Sequence, residues 1–274
     1  MHLYHVLIVK VVISTSLKEE VFGLRTSREY EELIDPRLSL LRKRLKNIKR
    51  IVAVVSGKGG VGKTLVATVL SLVLVKRGYK VGLLDLDFHG PSCHAVLGLS
   101  KPILIEDKGV LPIELNGLKF MSLYIFAGNS HLPLRGKDVS NLMAELLAIT
   151  LWGNLDYLMI DMPPGTGDEL LELIKLIPRV EALIITTPSI LSLITVKRLI
   201  SLLKTQKVTI LGIVENMSFN DDTVRNFAKE LGITYLGNVP FDLKVEACLG
   251  KPKELLKTKF ANYIRKLVNK LISP

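Results

Sequence analysis

The sequence predicts an α/β fold, in which a doubly wound, mostly parallel sheet carries helices on both faces. Three observations predict it. From Ile51 onward short apolar runs alternate with longer helical patterns, a glycine-rich loop joins the first such pair, and aspartates close two later apolar runs. Alternating strand and helix patterns are typical of βαβ units, whose parallel strands are covered on both faces.

The individual elements follow from hydrophobic periodicity and from turn residues. The predicted strands are 51–56, 80–86, 118–124, 157–161, 181–187, 208–215 and 233–237. The predicted helices are 38–48, 63–77, 137–150, 168–177, 190–204, 221–231, 242–249 and 253–271. The stretch 98–117 is rich in glycine and proline, and we expect loop and short irregular strands there.

The glycine-rich loop at residues 57–64 reads G-K-G-G-V-G-K-T, a complete G-x-x-x-x-G-K-T phosphate-binding motif. Glycines let backbone N–H groups surround phosphate oxygens, and the following helix N-terminus adds positive potential. We expect Lys63 to reach the β- and γ-phosphates and the Thr64 hydroxyl to ligate Mg²⁺. The predicted ligands are ATP and Mg²⁺, bound through Gly57, Lys58, Gly59, Gly60, Val61, Gly62, Lys63, Thr64 and Leu65.

Three aspartates stand where predicted strands end: Asp85 and Asp87 after one strand, and Asp161 after another. Ligand groups in an open parallel sheet come from loops at the carboxyl ends of its strands. An apolar run ending in Asp161 is the Walker B pattern, whose carboxylate holds Mg²⁺, usually through water. We expect Asp85 to lie near the metal and Asp87 to orient the attacking water. Each aspartate could instead cap a helix or form a turn.

Net charge is +11, and it is concentrated at two segments. Residues 36–50 hold seven basic side chains and no acid, and residues 251–272 hold seven against Glu254. Such basic ends can bind nucleic acid, an anionic membrane or an acidic partner, or they can be solvated helix faces. The last helix also has an apolar stripe that could lie on a membrane or pack on the domain.

No transmembrane helix or signal peptide is expected, because no long uncharged apolar run occurs and the apolar start, residues 3–13, is short. Cys93 and Cys248 are the two cysteines, and no C-x-x-C occurs. This usage fits a reducing cytoplasm and supplies no local metal-binding pair. We expect an N-terminal extension with a basic helix at residues 1–48 and a P-loop ATPase domain at 49–274.

The extra lysine of the loop, Lys58, gives the form G-K-G-G-x-G-K-T, the deviant Walker A loop of ATPases that include MinD and ParA. Together with other segments, this loop resembles the Mrp-type (ApbC-like) ATPases, regarded as iron–sulfur cluster carriers. The resemblance covers about residues 35 to 270. The other segments are D-L-D-F-H-G-P-S at 85–92, W-G-N-L-D-Y at 152–157, D-M-P-P-G-T-G-D at 161–168, T-T-P at 186–188 and G-I-V-E-N-M-S at 212–218.

The resemblance implies a role for further residues. Lys58 would cross a homodimer interface and touch the partner's nucleotide, so that Lys58, Lys63 and Asp87 are the catalytic residues. Asn216 would read adenine through its amide, and the segment from Pro240 to Asp242 would lie against the base. Apo iron–sulfur proteins are the implied partners.

One family element is absent. In cluster-carrying members a C-x-x-C pair follows the E-N-M-S element, whereas here Ser218 is followed by F-N-D-D-T with no cysteine. Iron–sulfur clusters are held by thiolates. Two functions are therefore open: an ATP-hydrolysing carrier or assembly factor for iron–sulfur clusters, and a MinD- or ParA-like ATP switch that binds DNA, membrane or protein without a cluster.

Overall fold

The computed structural model of the chain describes residues 35–88, 90–100, 105–106, 108–127, 137–219 and 221–272. Most of the predicted N-terminal extension, residues 1–34, lies outside this part of the chain. The helices are α1 (Pro36–Leu45), α2 (Lys63–Lys76), α3 (Cys93–Leu97), α4 (Tyr124–Ala127), α5 (Lys137–Ile149), α6 (Asp168–Leu176), α7 (Ile190–Thr205), α8 (Thr223–Glu230), α9 (Lys244–Ala247), α10 (Pro252–Leu255) and α11 (Lys259–Ile272). The strands are β1 (Ile48–Val55), β2 (Val81–Asp85), β3 (Ile113–Leu115), β4 (Leu118–Ser122), β5 (Leu155–Asp161), β6 (Glu181–Thr186), β7 (Thr209–Ser218) and β8 (Tyr235–Pro240).

These strands form one eight-stranded sheet in the order β3-β4-β2-β5-β1-β6-β7-β8. Every neighbouring pair is parallel except the edge pair, in which β3 runs antiparallel to β4. From β1 the chain builds toward β2 and β4 on one side, then returns to add β6, β7 and β8 on the other. Right-handed crossovers then put helices on both faces. The predicted doubly wound α/β fold is confirmed.

The centre of the sheet explains why the first apolar run becomes a strand. Residues Ile51 to Val55 are all buried, since β1 lies between β5 and β6 and is covered on both faces. Helix α2 is apolar almost all round because it packs on the sheet and beneath α11. These two elements fix both ends of the glycine-rich loop within the core.

Helix α11 carries the apolar stripe for which the sequence allowed either contact with a membrane or packing on the domain. Phe260, Ile264 and Val268 are buried, and the helix packs on α2 and β8. The stripe is therefore part of the core and is not free to lie on a membrane. In the described residues, no helix combines the length and the apolar character needed to span a bilayer.

Several predicted boundaries differ from the structure. The helix predicted at 253–271 is two helices, because the Thr258 hydroxyl donates to Leu255 O (2.7 Å) and accepts from Ala261 N (3.2 Å), which closes one helix and opens the next. The helix predicted at 242–249 is only the short α9. Strand β7 continues to Ser218 and therefore includes Asn216. Helices α3 and α4 are too short for hydrophobic periodicity to predict.

The basic helix α1 begins earlier than predicted and packs on the domain. Asp35 accepts a hydrogen bond from Arg37 N (3.0 Å) as N-cap, and proline is favoured at the first helical position. Leu41 and Leu45 are buried, and α1 contacts α5. Strand β1 starts at Ile48, at the predicted domain boundary. The division between 48 and 49 stays a prediction.

Two adjacent leucines of α1 test how strongly this helix is joined to the domain. Leu41 is 2 % exposed and Leu40 is 37 % exposed. Leu41→Ala should lower the free energy of unfolding by about 2–5 kcal/mol, because it removes buried methyl groups and leaves a cavity. Leu40→Ala, the matched control, should change it by less than about 0.5 kcal/mol. Urea titration followed by circular dichroism measures both, and equal effects would contradict packing of α1 on the core.

Candidate nucleotide-binding site

The glycine-rich loop connects β1 to α2 at the carboxyl edge of the sheet, as predicted. The Ser56 hydroxyl donates to Lys58 O (3.0 Å) and folds the loop back on itself. A Cβ on Gly57 would lie 2.5 Å from Thr195 Oγ1 and 2.7 Å from the Thr195 carbonyl carbon, so only glycine fits. The loop is thus packed directly against α7, a contact that the motif alone does not predict.

The last glycine of the loop, Gly62, sets the direction in which α2 begins. Gly62 has φ +77, and its carbonyl accepts from Val66 N (3.0 Å) in the first turn of the helix. A Cβ here would collide with the Asn216 amide. The remaining predicted loop residues differ in exposure: Gly59 and Gly60 are exposed, Val61 is buried, and Leu65 is half-buried against the core. The loop has the conformational freedom and the helix N-terminus that phosphate binding needs.

Lys63, Thr64 and Asp161 meet at the start of α2. Lys63 Nζ lies 2.6 Å from Asp161 Oδ1, and the Thr64 hydroxyl donates to Asp161 Oδ2 over 2.7 Å. Lys63 is 6 % exposed and Asp161 is fully buried. Burial raises the pKa of Asp161, while the ammonium of Lys63 and the Thr64 hydroxyl lower it. The sequence predicted that these three residues share a site, and the structure brings them together.

Asp85 lies beside Asp161, because the two residues are partners in the register of β2 and β5. Its carboxylate accepts backbone N–H groups of Asp87, Ser92 and Cys93, each at 3.1 Å. Burial and the neighbouring Asp161 raise the pKa of Asp85, against the lowering effect of those backbone donors. Two carboxylates and the Thr64 hydroxyl at one edge form an oxygen-rich set that fits Mg²⁺.

Cys93 also belongs to this site, although it was not among the predicted site residues. It is fully buried, and its thiol donates to Asp161 Oδ2 over 3.6 Å. Burial, followed by the two nearby carboxylates, raises the pKa of the thiol. One potential ligand atom from each of Asp85, Cys93 and Asp161 lies within 4.8 Å of the others. The position of Cys93 just after G-P-S is the feature of the sequence that could have indicated this role. The loop after β2 returns the chain to the edge of the sheet where Asp161 lies.

The loops after β2 and β5 carry the remaining residues that are predicted to act in ATP hydrolysis. Asp87 is half-buried, and its carboxylate accepts from Gly90 N (3.1 Å). The loop after Asp161 is tied to the glycine-rich loop, because Gly165 N donates to Ser56 O over 2.9 Å. The loop after Asp161 therefore lies against the glycine-rich loop. The water-orienting role of Asp87 stays a prediction.

Asn216 contacts the loop rather than standing apart from it. The residue is buried, and its Nδ2 donates to Val61 O over 2.8 Å. Asn216, which is predicted to bind adenine, is thus hydrogen-bonded to the glycine-rich loop through its side-chain amide. Reading of the base by Asn216 stays a prediction.

The segment predicted to lie against the base begins where β8 ends. Pro240 pairs with Ser218 at the end of the sheet. The Asp242 carboxylate accepts from Lys244 N and Phe260 N, each at 3.1 Å, so it caps local turns and the start of α11. These bonds give Asp242 a structural role, and its contact with a base stays a prediction.

Lys58 stands at the border of an exposed apolar surface. Its side chain is half-buried in the loop, whose Gly57 packs on Thr195 of α7. The same end of α7 exposes Ile190, Leu191 and Ile194 at 74 %, 68 % and 48 %. Large apolar side chains that are exposed together mark interaction surfaces. The surface beside the loop is therefore suited to contact another protein.

Comparison with known proteins agrees with this geometry. The sequence model of a family described as NUBPL iron-transfer P-loop NTPase, within the ParA group, matches residues 47–273. An iron–sulfur cluster carrier protein of Methanocaldococcus jannaschii is 35% identical over 268 residues, which cover 90% of this chain and 92% of that protein. The iron–sulfur cluster transfer protein NUBPL of Dictyostelium discoideum is 38% identical and covers 76% of this chain and 70% of its own length.

Solved structures give the same fold. A nucleotide-binding protein of Archaeoglobus fulgidus, in complex with ADP, superposes with a TM-score of 0.67 at 30% identity and covers 86% of this chain and 94% of that one. The cell-division ATPase MinD of Pyrococcus furiosus superposes at 0.65 with 24% identity, covering 82% and 98%, which shows the fold alone. The names of the relatives favour the carrier interpretation over the MinD-like switch. The chain belongs to the NUBPL-type iron-transfer P-loop NTPases.

Proposed function

We propose that this protein binds and hydrolyses ATP as a homodimer in the cytoplasm and serves in the transfer of iron–sulfur clusters to apoproteins. The observation that carries the nucleotide part is the buried cluster of Lys63, Thr64 and Asp161 at the start of α2. The names of relatives that cover most of their own length support the cluster part. Two free cysteines fit a reducing compartment.

In this proposal the chain's own residues position the phosphates. Lys63 exchanges its contact with Asp161 for the β- and γ-phosphates, while backbone N–H groups of the loop surround them. Mg²⁺, when bound by the Thr64 hydroxyl with Asp161 and Asp85 behind it, supplies positive charge to the phosphate oxygens. Asp87 holds the attacking water, and Lys58 of each protomer reaches the nucleotide of the other.

The iron–sulfur cluster is what the protein carries in this proposal, and its ligands have to be found among residues other than a C-x-x-C pair. Cys93 is enclosed within the nucleotide site, while Cys248 is half-buried at the end of α9. These are the only cysteines of the chain. Cys248 of both protomers would supply two of the four ligands that a cluster needs, and non-cysteine side chains or a partner would supply the other two. The exposed apolar residues of α7 beside the loop support the dimer.

Complementation between two inactive variants tests the role of Lys58. Lys58→Ala should lose ATP turnover because the lysine acts in the other protomer's site, and Lys63→Ala should lose it because that lysine acts in its own site. In a mixed dimer the Lys58→Ala protomer keeps its own Lys63 and receives Lys58 from its partner. Turnover of a one-to-one mixture should recover to at most about a quarter of the wild-type value, since half the dimers are mixed and each has one complete site.

The control for this mixture is each variant alone at the same total concentration. No recovery on mixing, while both variants still bind a fluorescent ATP analogue, would contradict action in the partner's site. Full activity of Lys58→Ala alone would contradict any role in hydrolysis.

Asp87→Ala tests the predicted water-orienting carboxylate. We expect binding of the ATP analogue to persist, because Asp87 lies outside the loop, and turnover to fall by about 10²-fold or more. Phosphate release under saturating ATP measures turnover, and Asp221→Ala, an exposed aspartate in the loop after β7, is the control. Normal turnover in Asp87→Ala would remove this residue from the mechanism.

Anaerobic reconstitution tests the cargo. Iron, sulfide and ATP turnover are measured on one sample of the wild-type chain and on Cys248→Ser. We expect stoichiometric iron and sulfide in the wild-type dimer and their loss in Cys248→Ser, with turnover retained in both. Turnover without bound iron in the wild type would contradict cluster carriage by this chain alone and favour the ATP-switch alternative, for which the missing C-x-x-C is the specific observation.

A further inference from the structure

A groove lies on the edge of the sheet opposite the nucleotide site. Helix α6 begins after the loop that follows Asp161 and ends near the start of β6, so its last turn is at the amino edge. Together with α1, α5 and residues 177–179, this turn surrounds a cavity of about 940 Å³. Neither the predicted ATP site nor the exposed apolar surface of α7 contributes to its lining.

The floor of the groove is apolar and its rim is basic. Leu38 and Leu176 are half-buried and form the accessible part of the floor, above the buried Leu41 and Ile177. Lys43, Lys46 and Lys175 stand on the rim, are exposed, and form no ion pair with any residue that the structure describes. Six basic side chains in all line the groove, against the two acids Asp35 and Glu172.

Basic side chains continue beyond the groove along the same edge, where Lys49 pairs with Asp156 and Arg50 pairs with Glu181. Arg179 donates to Leu45 O over 2.7 Å and also lines an adjoining cavity of about 390 Å³, together with Lys49, Arg50 and Lys207. Arg50 donates to Leu271 O at the end of α11 over 3.1 Å. The end of the basic segment 36–50 therefore meets the end of α11 at this edge.

Helix dipoles explain only part of this arrangement. Lys43 and Lys175 lie in the last turns of α1 and α6, where a cation stabilises a helix. The same effect covers Lys46, the C-cap of α1, and Arg179, which donates to the last carbonyl of that helix, but it does not require an apolar floor between the two helices. A recess with an apolar floor and a basic rim is the complement of an amphipathic helix with acidic flanks.

We propose that this groove binds an acidic amphipathic helix of a partner protein. The floor takes the apolar face of that helix, and the lysines of the rim pair with carboxylates on its flanks. Nucleic acid fits less well, because phosphates cannot use an apolar floor and Asp35 and Glu172 repel them. The inference goes beyond the proposed function and does not depend on cluster carriage.

The probe is a fluorescein-labelled synthetic helix with leucine at i, i+3, i+4 and i+7 and glutamate on the flanks, titrated with the full chain and followed by anisotropy. The triple variant Lys43→Glu, Lys46→Glu, Lys175→Glu should raise its Kd by about tenfold or more, since like charges then face the glutamates. The control variant Lys197→Glu, Lys229→Glu, Lys253→Glu changes three exposed lysines elsewhere by the same charge and should change Kd less than about twofold.

Two further measurements separate the groove from general attraction between opposite charges. A peptide with serine in place of leucine should lose binding, and a DNA duplex should not compete at equal charge concentration. ATP turnover of the two triple variants should match the wild type, which confirms that both fold. Equal loss of affinity in the two triple variants, unchanged binding of the serine peptide, or competition by the duplex would each overturn the proposal.

Discussion

The pairing of Asp161 with both Lys63 and Thr64 is the interaction on which the site depends. It joins the end of a central buried strand to the first turn of α2, and hence fixes the position of the glycine-rich loop between β1 and that helix. A buried carboxylate without partners would be costly, and the lysine and the hydroxyl stabilise it. The same groups are the ones that phosphate and metal would engage. The contact therefore holds together the groups that are proposed to bind the nucleotide.

Much of the fold was predictable because its strongest signals are local. The seven apolar runs became strands of one sheet, since each was bounded by turn residues and separated by a helical pattern. The break between α10 and α11 was missed because it depends on the Thr258 hydroxyl, which competes with the helix backbone on both sides. The start of α1 was misplaced because a proline that interrupts a helix interior is favourable at its first residue. Strand β3 is three residues long and is defined only by its partner β4.

The site was predictable where a contiguous motif or a strand end carries it, as for Lys63, Thr64, Asp85 and Asp161. It was not predictable where the fold alone creates the contact. Thr195 meets Gly57 because α7 crosses the loop, and Cys93 meets Asp161 because the chain after β2 returns to the same edge. Both contacts join residues at least 68 positions apart. A single sequence carries no signal for a contact between residues so far apart in the chain.

Helix α6 has only nine residues, so it is roughly 13 Å long. One end follows the loop that is bonded to the glycine-rich loop through Gly165, and the other end forms a wall of the basic groove. A short helix of this kind moves as one piece, so a displacement at either end is transmitted to the other. If the loop after Asp161 takes up two positions, an occupant of the groove that prefers one of them changes nucleotide affinity, and nucleotide changes the affinity of the occupant by the same factor. Two binding sites at opposite edges of the sheet, separated by the length of its strands, would then be coupled.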